Sequence, residues 1–113
     1  MKMLEKCKEG GAVHIMNVMS TTSEWLVSVM MDKDRDTTDF VAKQLVDSVW
    51  ELVVRKVEDS TKTEALENLS EQMVRLNDFC TTDESYFSNV KALAIAINEE
   101  TVELVQSEFM EIS

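Results

Sequence analysis

Proline is absent from all 113 residues, and the only glycines are Gly10 and Gly11. A sheet protein needs tight turns between its strands, and Gly and Pro supply the backbone angles that such turns require. After residue 11 this chain has neither. That single feature points to an all-α fold. A chain of this length is one domain by default. It buries roughly two-thirds of its unfolded surface when compact, and its 44% apolar content is enough for a core.

Apolar spacing of three and four residues places helices at about 12–31, 38–57, 62–80 and 82–111. The first carries Val13, Met16, Trp25, Leu26, Val29 and Met30, with Thr21 as an alternative break and restart. The second has a broad stripe that includes Val41, Leu45, Val49, Leu52, Trp50 and Val57. WELVVRKV (residues 50–57) is β-branched, but it does not alternate with period two, so helix is preferred. The third has a narrow seam of Leu66, Leu69, Met73, Leu76 and Cys80. The fourth contains VKALAIAI (90–97), apolar nearly all round and so expected at the middle of the bundle. Thr21-x-x-Glu24, Thr61-x-x-Glu64 and Thr81-x-x-Glu84 all fit a capping box. Short links make neighbouring helices antiparallel. The expected architecture is an antiparallel four-helix bundle with a short N-terminal arm. Residues 1–11 form the arm or a short extra helix, and 12–113 form the single domain. Leu69, Leu76, Trp50 and Ile97 are expected in the core. The narrow third seam and the broad second and fourth helices also raise the expectation of a homodimer. The KEG run (8–10) is encodable by a purine-rich stretch of the ribosome-binding type, which raises a translation start near Val13 or Met16 as an alternative.

The net charge of −11 argues against binding nucleic acid or anionic membranes, since both need clustered Lys and Arg. Residues 1–31 are balanced: Lys2, Lys6 and Lys8 against Glu5, Glu9 and Glu24. The excess lies in 32–113 and implies a basic partner or none. The cysteines, Cys7 and Cys80, form neither a disulfide framework nor a Cys-x-x-Cys pair. No signal peptide is recognisable, and no run approaches the ~20 apolar residues of a membrane span. A cytoplasmic protein is expected.

Asp32, Asp34 and Asp36 alternate in the manner of a calcium loop. Such a loop needs Gly at its sixth position and Glu at its twelfth, where this chain has Thr37 and Lys43. Helix capping explains the run better, with Asp36, Thr37 and Thr38 as cap candidates and Asp36 and Asp39 at the positive end of the helix dipole. His14 is the lone histidine, followed by neither the Lys nor the Gly that phosphotransfer bundles place beside theirs. One histidine excludes a paired Glu-x-x-His di-iron site. The eight methionines, at helical spacing, fit core filling or an adaptable contact surface better than soft-metal ligation. No nucleophilic triad is recognisable. The chain is therefore expected to be no enzyme, with no catalytic residues, no metal and no cofactor.

The C-terminal acids stand apart. After Lys91 there is no base, but there are Glu99, Glu100, Glu103, Glu108 and Glu111. Carboxylates near a helix C-terminus oppose its dipole. Like charges at i,i+3 and i,i+4 each cost roughly 0.2–0.5 kcal/mol. Local stability does not account for them. Glu99, Glu100, Glu103 and Glu111 share one broad face, opposite Val102, Val105, Phe109 and Ile112, and are the candidate partner-binding residues. The expected function is a small acidic protein-binding module of the inhibitor, immunity-protein, chaperone or phage-type host-modulator kind, met by a basic protein surface. The alternatives are a nucleic-acid mimic blocking a DNA- or RNA-binding protein, and a phosphorelay or metal-binding bundle centred on His14.

Overall fold

A computed structural model describes residues 2–109, with side chains from residue 11 onward. Four α-helices follow one another: α1 (Lys2–Met31), α2 (Arg35–Leu52), α3 (Ser60–Phe79) and α4 (Asp83–Glu108). A 3-10 turn, Val54–Lys56, joins α2 to α3. No strand occurs among the described residues. Each helix packs on its chain neighbours, α1 closes against α4, and α2 also meets α4. The result is the antiparallel four-helix bundle that the missing turn residues demanded.

Helix α1 buries one regular line: Ala12, Ile15, Met19, Thr22, Leu26 and Val29. Those steps of three and four keep a single stripe against α2 and α4. The helix runs unbroken through Thr21, so no restart occurs there. Trp25, one of the apolar positions read along this helix, is 46% exposed. It falls one step off the stripe and packs edge-on against Phe40 of α2, centroids 6.1 Å apart. Lacking a glycine, the chain leaves α1 through Lys33 at φ 57°. There the Lys33 amide donates to the Met30 carbonyl at 3.0 Å, a left-handed helix ending that usually falls to Gly.

Asp34 caps α2, not Asp36, Thr37 or Thr38. Its carboxylate accepts from the amides of Asp36 (3.1 Å) and Thr37 (3.3 Å) and from the Thr37 hydroxyl (2.9 Å). The Thr37 hydroxyl, with these amides, holds the Asp34 pKa below the usual carboxylate value. Thr38 is buried inside the helix. Helix α2 ends at Leu52, earlier than its stripe suggested. A tighter 3-10 turn follows, in which Val53 and Val54 are both buried.

Two caps sit one or two residues from their expected places. Asp59, not Thr61, caps α3, and the Thr61 amide donates to it at 3.0 Å. An ionised carboxylate is the stronger acceptor for an orphan amide. Thr82, not Thr81, caps α4 and accepts from the Ser85 amide at 3.2 Å. On α3 the buried residues are Thr63, Leu66, Ser70 and Met73, whereas Leu69, Leu76 and Cys80 of the expected seam are half-buried. Trp50 of α2 is half-buried too, and Ile97 is fully buried. Helix α4 is not wrapped on all sides: Ala92 and Ile95 face solvent.

Polar clamps close both ends. At one, Arg35 spans the α3–α4 turn, donating to Asn77 Oδ1 (2.6 Å), the Asn77 carbonyl (3.0 Å) and the Cys80 carbonyl (2.5 Å). It also pairs with Asp83 at 3.3 Å. The end of α3 thereby gains a partner for carbonyls that the helix itself leaves open. At the other end Lys62 meets Glu108 at 2.6 Å, which holds the Glu108 carboxyl below its ordinary pKa.

Candidate functional site

The seam between α1 and α4 is incompletely filled. Helix α1 presents Ser20 and Ser23 there, and α4 presents Ala94, Asn98 and Thr101. Small and polar side chains leave the space between two helix axes unfilled, in contrast to the Leu, Val and Met that interlock elsewhere. Across the seam Asn98 Nδ2 donates to Ser23 Oγ at 2.7 Å. This bridge forms the floor where two recesses meet.

One recess, of about 490 Å³, is walled by Met16, Met19, Val27 and Val102, with Glu24 beside it. The other, of about 340 Å³, is walled by Met30, Met31 and Ile95, with Lys91 beside it. Ser23, Val27 and Asn98 line both, so they form one continuous trough. Its rims are apolar and wet: Val27 is 58% exposed, Met31 77% and Ile95 51%.

The candidate carboxylates lie across the α4 ridge from this trough. Glu99, Glu100 and Glu103 line a shallow recess with Ala65, Asn68 and Leu69 of α3. Asn98 and Val102 border that recess and the trough alike. Glu99 and Glu103 are exposed, and Glu100 is half-buried. Among the described residues no ion pair holds any of the three. Glu108 differs, because Lys62 binds it. Glu111 and Ile112 lie outside the described residues.

The other sequence candidates are dispersed. His14 is exposed on α1. Asp34 spends both carboxylate oxygens on its own helix start. Among the described residues no group of three or more His, Cys, Asp or Glu side chains is placed to hold a metal ion. Among them, too, no helix is long and apolar enough to cross a membrane. A buried polar group does occur at the Arg35 end, where Tyr86 is 1% exposed. Burial, with the Asp39 charge nearby, pushes the Tyr86 hydroxyl well above its ordinary pKa. It packs under the Arg35 guanidinium.

The trough residues Ser20, Ser23, Val27, Ile95 and Asn98 escaped the sequence reading. The available signal was that Val27 and Met31 fall outside the stripe from Ala12 to Val29. Thr22, a polar link in that stripe, hid its regularity. Comparison with protein-family models, with curated proteins and with solved structures finds no match to this chain.

Proposed function

We propose that this protein is a small acidic, non-enzymatic binding module that docks a protein with a basic surface on its α4 side. One observation carries the reading: Glu99, Glu100 and Glu103 stand together without a counter-ion among the described residues, beside an open apolar trough. Helix stability argues against carboxylates here, because at spacings of three and four residues they repel one another. A basic partner supplies the missing counter-charge, and complementary fields hasten its approach. An inhibitor, immunity protein, chaperone or host modulator works by such contacts, without chemistry of its own.

The test is a pull-down from the native host with the wild type and with the Glu99→Gln, Glu100→Gln, Glu103→Gln triple variant. A basic protein retained by the wild type at low salt and lost by the variant supports the reading. Equal retention of the same partner by both proteins at low salt overturns it.

A further inference from the structure

We propose that the α1–α4 trough seats one amphipathic helix of the basic partner, with its apolar side on the methionines and its Lys or Arg side toward Glu24, Glu99 and Glu103. This rests on the basic-partner reading and adds the form that the partner takes.

Four features carry it. The first is shape. The trough runs along α4 from Val102 to Lys91, about 16 Å or three helical turns at the rise of an α-helix. A guest helix in a groove needs an elongated seat of this kind, with anchors one or two turns apart. The Ser23–Asn98 bridge divides the floor into two apolar pits, which suits two such anchors.

The second is lining. Met16, Met19, Met30 and Met31 gather on this one seam. Methionine is unbranched and polarizable, so it moulds itself to an incoming apolar side chain at little strain.

The third is openness. With Val27, Met31 and Ile95 more than half exposed, a small molecule would keep much of its surface in water, whereas ligand pockets bury most of theirs. A helix covers the rims as well as the floor.

The fourth is charge. Carboxylates flank the Val102 end, on α1 (Glu24) and across the α4 ridge (Glu99, Glu103), and the base beside the trough, Lys91, lies at the far end. The guest's basic residues therefore cluster toward the Val102 end. A second copy of the chain also carries a net charge of −11, so it is repelled overall where a basic helix is attracted.

The probe is a labelled Leu/Lys peptide of about four helical turns, with Leu recurring at i, i+4 and i+7. A peptide of the same composition with its Leu positions shuffled over all faces is the control, and binding is followed by fluorescence anisotropy at low salt. The patterned peptide is expected to bind about tenfold more tightly than the shuffled one. The Val27→Ser, Ile95→Ser double variant should lose about tenfold for the patterned peptide, as expected for two apolar contacts removed, and little for the shuffled one. Both substituted residues are exposed, so circular dichroism should show the fold unchanged. If both peptides bind equally, and both weaken in the Glu99, Glu100, Glu103 triple Gln variant, the trough is not the seat and the basic-partner reading stands. If neither binds, both readings fall. If sedimentation of the protein alone shows a dimer that Ile95→Asp dissociates, a second copy covers the trough and the guest-helix proposal is overturned.

Discussion

The Arg35 guanidinium sits over the Tyr86 ring, its central carbon 4.6 Å from the centroid. Arg35 opens α2 and Tyr86 sits in the first turns of α4, so this contact ties two helices that are not consecutive in the chain. The same guanidinium donates to the Asn77 and Cys80 carbonyls at the end of α3. One side chain therefore holds three helix ends in register. A planar fork of donors with a stacking face meets all of these demands, and a lysine ammonium meets few of them. Arg35→Lys should therefore destabilise the protein, by about 2–3 kcal/mol for the lost charge-assisted hydrogen bonds and stacking. Denaturant unfolding measures this. An unchanged midpoint would mean that the clamp is decoration.

Tyr86 raises the opposite expectation for its own hydroxyl. That oxygen is buried without a hydrogen-bond partner among the described residues, as are Asp39 Oδ1 and Thr38 Oγ1. A buried, unsatisfied hydroxyl costs stability, and its removal at constant shape is neutral or favourable. Tyr86→Phe keeps the ring under Arg35 and deletes only the oxygen. Its unfolding midpoint should equal or exceed that of the wild type. A loss above about 1 kcal/mol would show that the hydroxyl makes a hydrogen bond in solution, with Asp39 the natural acceptor.

These two residues also show where sequence reading stops. The absence of Pro and late Gly excluded sheets, and the apolar steps placed four helices. What sequence spacing could not give was phase to the nearest residue. Trp25 is large and apolar, yet it lies one step outside the line that Thr22 completes. Leu69 and Leu76 look like the seam of α3, yet the seam runs through the polar Thr63 and Ser70. Hydrophobicity alone ranks these residues wrongly, because burial follows helix face rather than residue type. The carboxylates of α4 were legible, since their repulsion is a local property. The trough was not, because it comes from small residues on two helices distant in the chain, Ser23 and Asn98. Arg35 gave no periodic signal at all, since its partners lie on another helix pair.

The helix caps predict a pH dependence with a definite sign. Asp34 and Asp59 have pKa values lowered by the hydroxyls and amides of Thr37 and Thr61. A group with a depressed folded pKa stabilises the fold fully above its unfolded value, about 3.9 for Asp. That contribution is lost as pH falls through the lower folded value, because the unfolded chain there binds more protons. Stability should therefore decline on the acid limb below about pH 3.9. An Asp34→Ala, Asp59→Ala double variant should start lower at neutral pH and decline less steeply. Thermal midpoints recorded against pH make the comparison. Parallel curves for the two proteins would remove the caps as the cause.

The carboxylates of α4 should set stability and binding against each other. Glu99 and Glu103 are four residues apart, and Glu100 and Glu103 three, so all belong to one repelling group. Changing Glu99, Glu100 and Glu103 together to Gln removes these penalties and keeps the side-chain shape. The variant should gain about 0.5–1 kcal/mol in unfolding free energy. If a basic partner docks there, its affinity should move the other way and fall. The loss should be greatest at low salt and concentrated in the association rate, because exposed charges act over a screening length of about 8–10 Å. Chemical denaturation gives the first quantity, and stopped-flow association at two ionic strengths gives the second. A variant that is more stable and binds as fast as the wild type at low salt would leave these carboxylates as a solvated face. A variant that is more stable and slower to bind marks residues held against the interest of the fold, which is what a docking surface requires.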